Sequence, residues 1–154
     1  MSKGVKLETQ DGSKLKIGVV VAEWNREYTE SLLNDALRGL ADSGVPKEQI
    51  IVEWVPGSYE VVFGAQKLIK QEQVDVVIPI GVVIKGETMH FEYICQAVSS
   101  GIMNLSVQTG VPVLFSVLTC LNEEQVRKRA IGEHNHGYNW GLSAVRMGLF
   151  KKRT

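Results

Sequence analysis

At 154 residues the chain has the length of one ordinary domain, enough to bury a core without disulfide or metal staples. It is 44% hydrophobic and 22% charged, and 17 Lys and Arg balance 17 Asp and Glu, which removes any bulk electrostatic case for nucleic acid or an anionic membrane as partner. Near-zero net charge does little to keep copies of the chain apart, so self-association stays open.

Residues 1–14 read as an amino-terminal arm that something must tie down. From residue 15 a single domain is expected to run to residue 154. "LKIGVVVAE" (15–23) reads as a buried strand, short and β-branched. Over residues 26–43 the apolar side chains Leu32, Leu33, Ala36, Leu37, Leu40 and Ala41 recur at helical spacing, and Gly44 closes that helix. "IIVEWV" (50–55) is the second strand and "PGSYEVVFGAQKLIKQ" the second helix. "VDVVIPIGVVI" (74–84) is the third strand, and the third helix is expected over 87–110. A fourth strand is expected over "VPVLFSVLT" (111–119). Two helical stretches, 122–130 and roughly 138–151, follow with "IGEHNHG" between them. Strand and helix alternating, with apolar strands throughout, predict an α/β fold: a four-stranded parallel sheet covered by helices on both faces. So small a sheet invites a partner subunit to complete its burial.

Cys95 and Cys120 stand in no CxxC pair and read as two reduced thiols. "MSKGVKLETQDGSKLK" has no apolar core of signal type, and no apolar run is of bilayer length. The expected location is the cytoplasm.

Ligands of open parallel sheets bind outside the carboxyl ends of the strands, so the residues just after each strand carry the functional signal. Strand one ends in Trp24 and Asn25, strand two in "VPGSYE" with Ser58, Tyr59 and Glu60, and strand three in "GVVIKGETMH". An aromatic, an amide, a carboxylate and a histidine should therefore meet at one rim. Gly86 is expected to allow a tight turn, after which the amides of Glu87 and Thr88 open a helix with no intrahelical partner. Such a helix start favours an anion. The same dipole disfavours a positive imidazole at His90, leaving it neutral and usable as a base near pH 7. Taken singly, each feature has a bland counterpart: a βα-turn glycine, a polar first-turn histidine, a rim tryptophan, a solvated "RKR" helix face. "HNH" (134–136) has no cysteine or acidic cluster beside it and makes a poor metal ligand set. The shared rim is what favours a site.

"EWN", "VPGSYE", "GVVIKGETMHFEYI", "VPVLF" and "LNEEQVRKRA…HNHGYNWG", in this order and nearly without gaps from residue 15 to 147, resemble the lumazine synthase family. The resemblance implies a flavodoxin-like, three-layer α/β/α subunit. It implies condensation of 5-amino-6-(D-ribitylamino)uracil with 3,4-dihydroxy-2-butanone 4-phosphate, without metal or organic cofactor. It makes His90 the proton-transfer residue and Trp24 the stacking partner of the pyrimidine. Ser58 and Glu60, with Asn25 and Tyr59 beside them, would line the substrate site, and Val82, Val83 and Ile84 would border the pyrimidine through their backbone. Glu87 and Thr88 would offer amides to phosphate, a neighbouring subunit would lend Phe115 and Arg129 (to phosphate), and His136 would be a substrate-binding position. It further implies pentameric rings with active sites between subunits, and some members pack twelve rings into a sixty-subunit shell. The short "AIGEHNHG" has no insertion that would block such a shell. Three departures stand out: His136 where bacterial members commonly have lysine, "VV" after "VPGSYE" where Leu/Ile-Pro is usual, and Trp24 where many members have phenylalanine. Two rivals are an archaeal-type riboflavin synthase of the same fold and a flavin-binding module without activity.

Overall fold

The computed structural model describes residues 4–154. Of the amino-terminal arm, residues 1–3 lie outside that range. Residues 4–10 form no regular element, and the chain is pinned just after them: Gly12 N–H donates to the Ser43 carbonyl (2.7 Å) and Leu15 N–H to Gly12 (3.0 Å).

Nine elements follow: β1 (Ile17–Ala22), α1 (Arg26–Asp42), β2 (Ile50–Val55), α2 (Val61–Glu72), β3 (Val76–Ile84), α3 (His90–Thr109), β4 (Ser116–Cys120), α4 (Glu123–Ala130) and α5 (Gly137–Lys152). The four strands form one all-parallel sheet in the order β2-β1-β3-β4. β1 is buried along its whole length and β3 up to its last residue, as their unbroken apolar sequences require. One face of the sheet carries α1, α4 and α5, with Leu32, Leu40, Val126 and Val145 against Ile17, Val19 and Ile78. The other carries α2 and α3, with Ala65, Leu68, Val98 and Ile102 against Val20 and Val77. β2 and β4 are the edge strands, and β2 is only partly buried. The predicted α/β/α layers are therefore present, and Gly44 does end α1, in left-handed backbone (φ 79°).

Two boundaries differ from the sequence reading. β4 starts at Ser116 rather than 111. Upstream of it only Val113 bridges β3, at Val77. The cause is Pro79: a proline has no N–H to offer the ladder, and here it interrupts β3 on the side facing β4. Ser116 Oγ donates to the Pro79 carbonyl instead. Phe115, expected within the strand, is left just before it and 53% exposed. The second difference lies ahead of α3, where the helix opens at His90 and not at 87.

Candidate active site

β1 runs out before β3 does. Its pairing with β3 ends at Val21↔Ile80, while β3 and β4 stay paired to Ile84↔Cys120. The edge of residues 81–84 therefore faces open space, at the point where the strand order reverses direction, which is where doubly wound sheets bind ligands. Beyond β1 the chain first clings to β2: Glu23 N–H donates to Val55 and Trp24 N–H to Pro56. Asn25 then turns it into α1 in left-handed backbone (φ 62°, ψ 42°), a region asparagine tolerates better than most residues. The Asn25 amide nitrogen donates to the Val82 carbonyl at 2.9 Å. That bond shows which way the strand faces, because polar groups alternate sides along it. Lys85 N–H goes to Cys120 on the β4 side, so the N–H and C=O of Ile84 share the open side with those of Val82.

A cavity of about 610 Å³ occupies this space, within the range of small-molecule sites. Trp24 and Asn25 line it from β1, residues 56–60 from β2, Val82, Val83 and Ile84 from β3, and His90, Tyr93 and Ile94 from α3. Trp24 is 74% exposed and offers a bare indole face at the mouth. Ser58 opens a short 3-10 turn (Ser58–Glu60) that leads into α2. This is the helix start that the replaced Leu/Ile-Pro had marked as different. The Ser58 hydroxyl is buried without a hydrogen-bond partner. It sits so close to Gly81 that any Cβ there would collide with it. An orphaned buried hydroxyl beside a cavity needs a ligand or water to complete it.

His90 is the first residue of α3, with its N–H 3.3 Å from Thr88 Oγ1. Glu87 and Thr88 belong to the exposed loop 85–89 and not to the helix, which corrects the expectation that their amides open it. Gly86 does not take up positive φ, and an added Cβ there would meet nothing, so the turn does not depend on its being glycine. Thr88 and Met89, neither of them turn-formers by type, carry the chain into the helix. Lys85 pairs with Glu92 across this loop at 2.8 Å.

A profile of the family "6,7-dimethyl-8-ribityllumazine synthase" matches residues 14–152. Proteins of that name resemble the chain over most of its length. That of Schizosaccharomyces pombe is 45% identical, covering 96% of this chain and 94% of its own. That of Flavobacterium johnsoniae is 45% identical, covering 90% and 74%, and that of Pyricularia oryzae is 38% identical, covering 98% and 95%. The chain belongs to the 6,7-dimethyl-8-ribityllumazine synthase family. It is thereby an enzyme, a transferase of riboflavin biosynthesis.

Nine of the residues that likeness to lumazine synthases had singled out line the cavity: Trp24, Asn25, Ser58, Tyr59, Glu60, Val82, Val83, Ile84 and His90. Glu87 and Thr88 flank it in the loop. Phe115, Arg129 and His136 do not reach it in their own chain. Phe115 sits opposite Pro79, several residues short of the rim. Arg129 lies on exposed α4, where its Nη1 donates to the Gln125 carbonyl (2.9 Å). His136 follows close by, its N–H on the Arg129 carbonyl (2.7 Å) and its ring edge-on to Trp140 at 6.3 Å. Desolvation first, and the Arg129 charge second, push the His136 imidazole below the ordinary histidine range.

Sequence reasoning missed Tyr93 and Ile94 as lining residues, although both follow His90 by one helical turn and face the same way. It also passed over Asn135. That residue is buried, donates to the carbonyls of Ser31 and Ala130 and accepts from Gly137 N–H, fixing the link between α4 and α5. Only its place between two histidines marked it. Among the described residues no three His, Cys, Asp or Glu side chains stand together as metal ligands would, and no helix is long and apolar enough to cross a membrane.

Proposed function

We propose that this chain condenses 5-amino-6-(D-ribitylamino)uracil with 3,4-dihydroxy-2-butanone 4-phosphate to 6,7-dimethyl-8-ribityllumazine, in a site shared between two copies. Family membership supports the reaction. The observation that carries the shared site is the charge of the cavity wall, which contains Glu60 and His90 but no lysine or arginine. A phosphate-bearing substrate needs a cation, and the nearby Lys85 is already paired with Glu92. Arg129, exposed on α4, is suited to supply that charge from a neighbouring subunit, with Phe115 and His136 of the same neighbour closing the cavity.

In this reading the pyrimidine stacks on Trp24 and hydrogen-bonds to the open backbone edge at Val82 and Ile84, with Val83 bordering it in the strand between them. Asn25 holds Val82 in register for that contact. The ribityl hydroxyls complete the orphaned Ser58 hydroxyl and reach Glu60, with Tyr59 at the rim. The amides of Glu87 and Thr88 and the neighbour's Arg129 hold the phosphate. The pyrimidine's amine attacks the ketone, water leaves to give the imine, phosphate is eliminated, and ring closure expels a second water. His90 stands where the phosphate and the reacting carbons meet, and it relays protons between these steps. Most of the rate comes from holding two substrates in register, with acid–base help from His90 worth ~10²–10⁴-fold.

The chain would act as a cytoplasmic homo-oligomer of pentameric rings, with residues 15–154 as its single domain and residues 1–14 as its arm. Six residues join α4 to α5, which leaves a twelve-ring shell sterically open. Absorbance of lumazine formed from the two synthetic substrates tests the reaction, and light scattering on the same preparation tests the assembly. In Arg129→Ala the rate should fall by ~10²-fold or more at unchanged secondary structure. A variant as active as the parent would remove the phosphate role. Riboflavin appearing from lumazine alone would favour the rival synthase instead.

A further inference from the structure

We propose that Lys85 and Glu92 are positioning residues for the phosphate-bearing substrate: their ion pair closes the loop between β3 and α3 into a ring and so fixes the amides that the anion meets. The inference rests on the reaction proposed above. The loop has little else to hold it. Where it leaves the sheet, Lys85 N–H is tied to Cys120 at 2.9 Å, and at its far end the first helical bond runs from Tyr93 N–H to Met89. Between those points, among the described residues, no amide of 86–89 is engaged in a hydrogen bond. The contact of His90 N–H with Thr88 Oγ1 is long, at 3.3 Å. Four free amides suit an anion, but a four-residue loop without internal bonds should not keep them aimed.

Lys85 and Glu92 flank that loop, and the bond between them, at 2.8 Å, is the shortest ion pair among those of the described residues. Glu92 is the third residue of α3. Its carboxyl is held below the ordinary range first by Lys85 and second by its own backbone amide. The carboxylate stands in the first turn of α3, paired with Lys85, and the loop amides remain the free donors. Its second oxygen is buried and unpartnered, so the group is not simply waving in water. The pair also prevents Lys85 from swinging its charge into the loop. As a stabilising feature it would count for little, because both side chains are partly exposed (47% and 34%) and such pairs contribute ~0–1 kcal/mol. Its position, closing the loop that leads to His90, is what gives it a role.

The test uses the assembled enzyme, with Glu92→Gln, Lys85→Gln and the double reversal Lys85→Glu/Glu92→Lys. Steady-state kinetics give kcat and the KM of each substrate, inorganic phosphate serves as a competing anion, and thermal melting reports the fold. Each single variant should raise the KM of the phosphate-bearing substrate and the inhibition constant of phosphate together, by roughly tenfold, within what a displaced binding group can cost. The pyrimidine KM and the melting temperature should not move, and the double reversal should recover most of the loss. Unchanged constants in the single variants, tighter phosphate binding in Glu92→Gln, or no recovery in the double reversal would overturn the pairing role while leaving the reaction standing. A parent enzyme that forms lumazine without competition from phosphate would overturn it too. A parent that forms no lumazine would fail the reaction itself.

Discussion

His136 carries the α4–α5 connection into α5, at a position where the family resemblance implies a lysine in bacterial members. A lysine there would be charged at any physiological pH, whereas this imidazole is held toward its neutral form by desolvation and by Arg129. The sign of the consequence follows. The folded chain binds the proton less readily than the unfolded chain, so the contribution to stability is complete above the ordinary histidine value, ~6.5. It is lost as pH falls through the lowered folded value. Acylation of His136 by diethylpyrocarbonate, followed by peptide mass spectrometry, reads the neutral fraction directly. Half-maximal reactivity should lie below the ordinary histidine value, and Arg129→Ala should move it upward. A midpoint above that value, or one indifferent to Arg129, would contradict the assignment. His90 is legible at the same scale for a different reason, since its place after an apolar strand and a short loop puts it at the sheet's carboxyl end whatever its neighbours do.

At the scale of elements, α1 and α5 pack backbone against backbone, and glycines allow it. A Cβ on Gly39 would strike the Tyr138 carbonyl, one on Gly137 the Leu32 carbonyl and one on Gly141 the Ala36 carbonyl. Backbone cannot rotate away as a side chain can, so Gly141→Ala should cost about 1–3 kcal/mol and lower the melting temperature. Gly86→Ala, in open space without positive φ, should melt as the parent does. Equal melting of all three proteins would refute the packing argument. The contrast also shows what periodicity can and cannot deliver. All four strands and all five helices were legible, because a buried parallel strand must be apolar and a covering helix must alternate. The start of β4 was not, since it depends on Pro79 in a different strand failing to donate to the ladder. Nor was the start of α3, where residues 85–89 stay outside the helix and Lys85 pairs across them with Glu92. Trp24 and Ser58 were found through their place after strands, and Val82 only through the family resemblance. Tyr93 was missed because it arrives from one turn inside a helix.

For the whole molecule, the proposed site makes a single copy an incomplete apparatus. Its cavity has an aromatic face, an open strand edge, an orphaned hydroxyl and a histidine, but no cation of its own in the wall. Phe115 and Arg129 are exposed elsewhere on the same chain. In a ring, each copy would contribute a cavity to one neighbour and an arginine to the other, a head-to-tail arrangement that closes on itself. The open edge of β2 and the exposed aromatic Phe63, at 71%, are surfaces such a ring would cover. Mixing two inactive variants tests this most directly. His90→Ala lacks the proton relay in its own cavity, and Arg129→Ala lacks the cation offered to its neighbour. When equal amounts are unfolded and reassembled together, about a quarter of the interfaces should combine an intact cavity with an intact arginine. The mixture should then regain lumazine formation to about that fraction of the parent's rate. Activity no greater than the mean of the two variants alone, in particles shown to contain both chains, would contradict a site built between subunits.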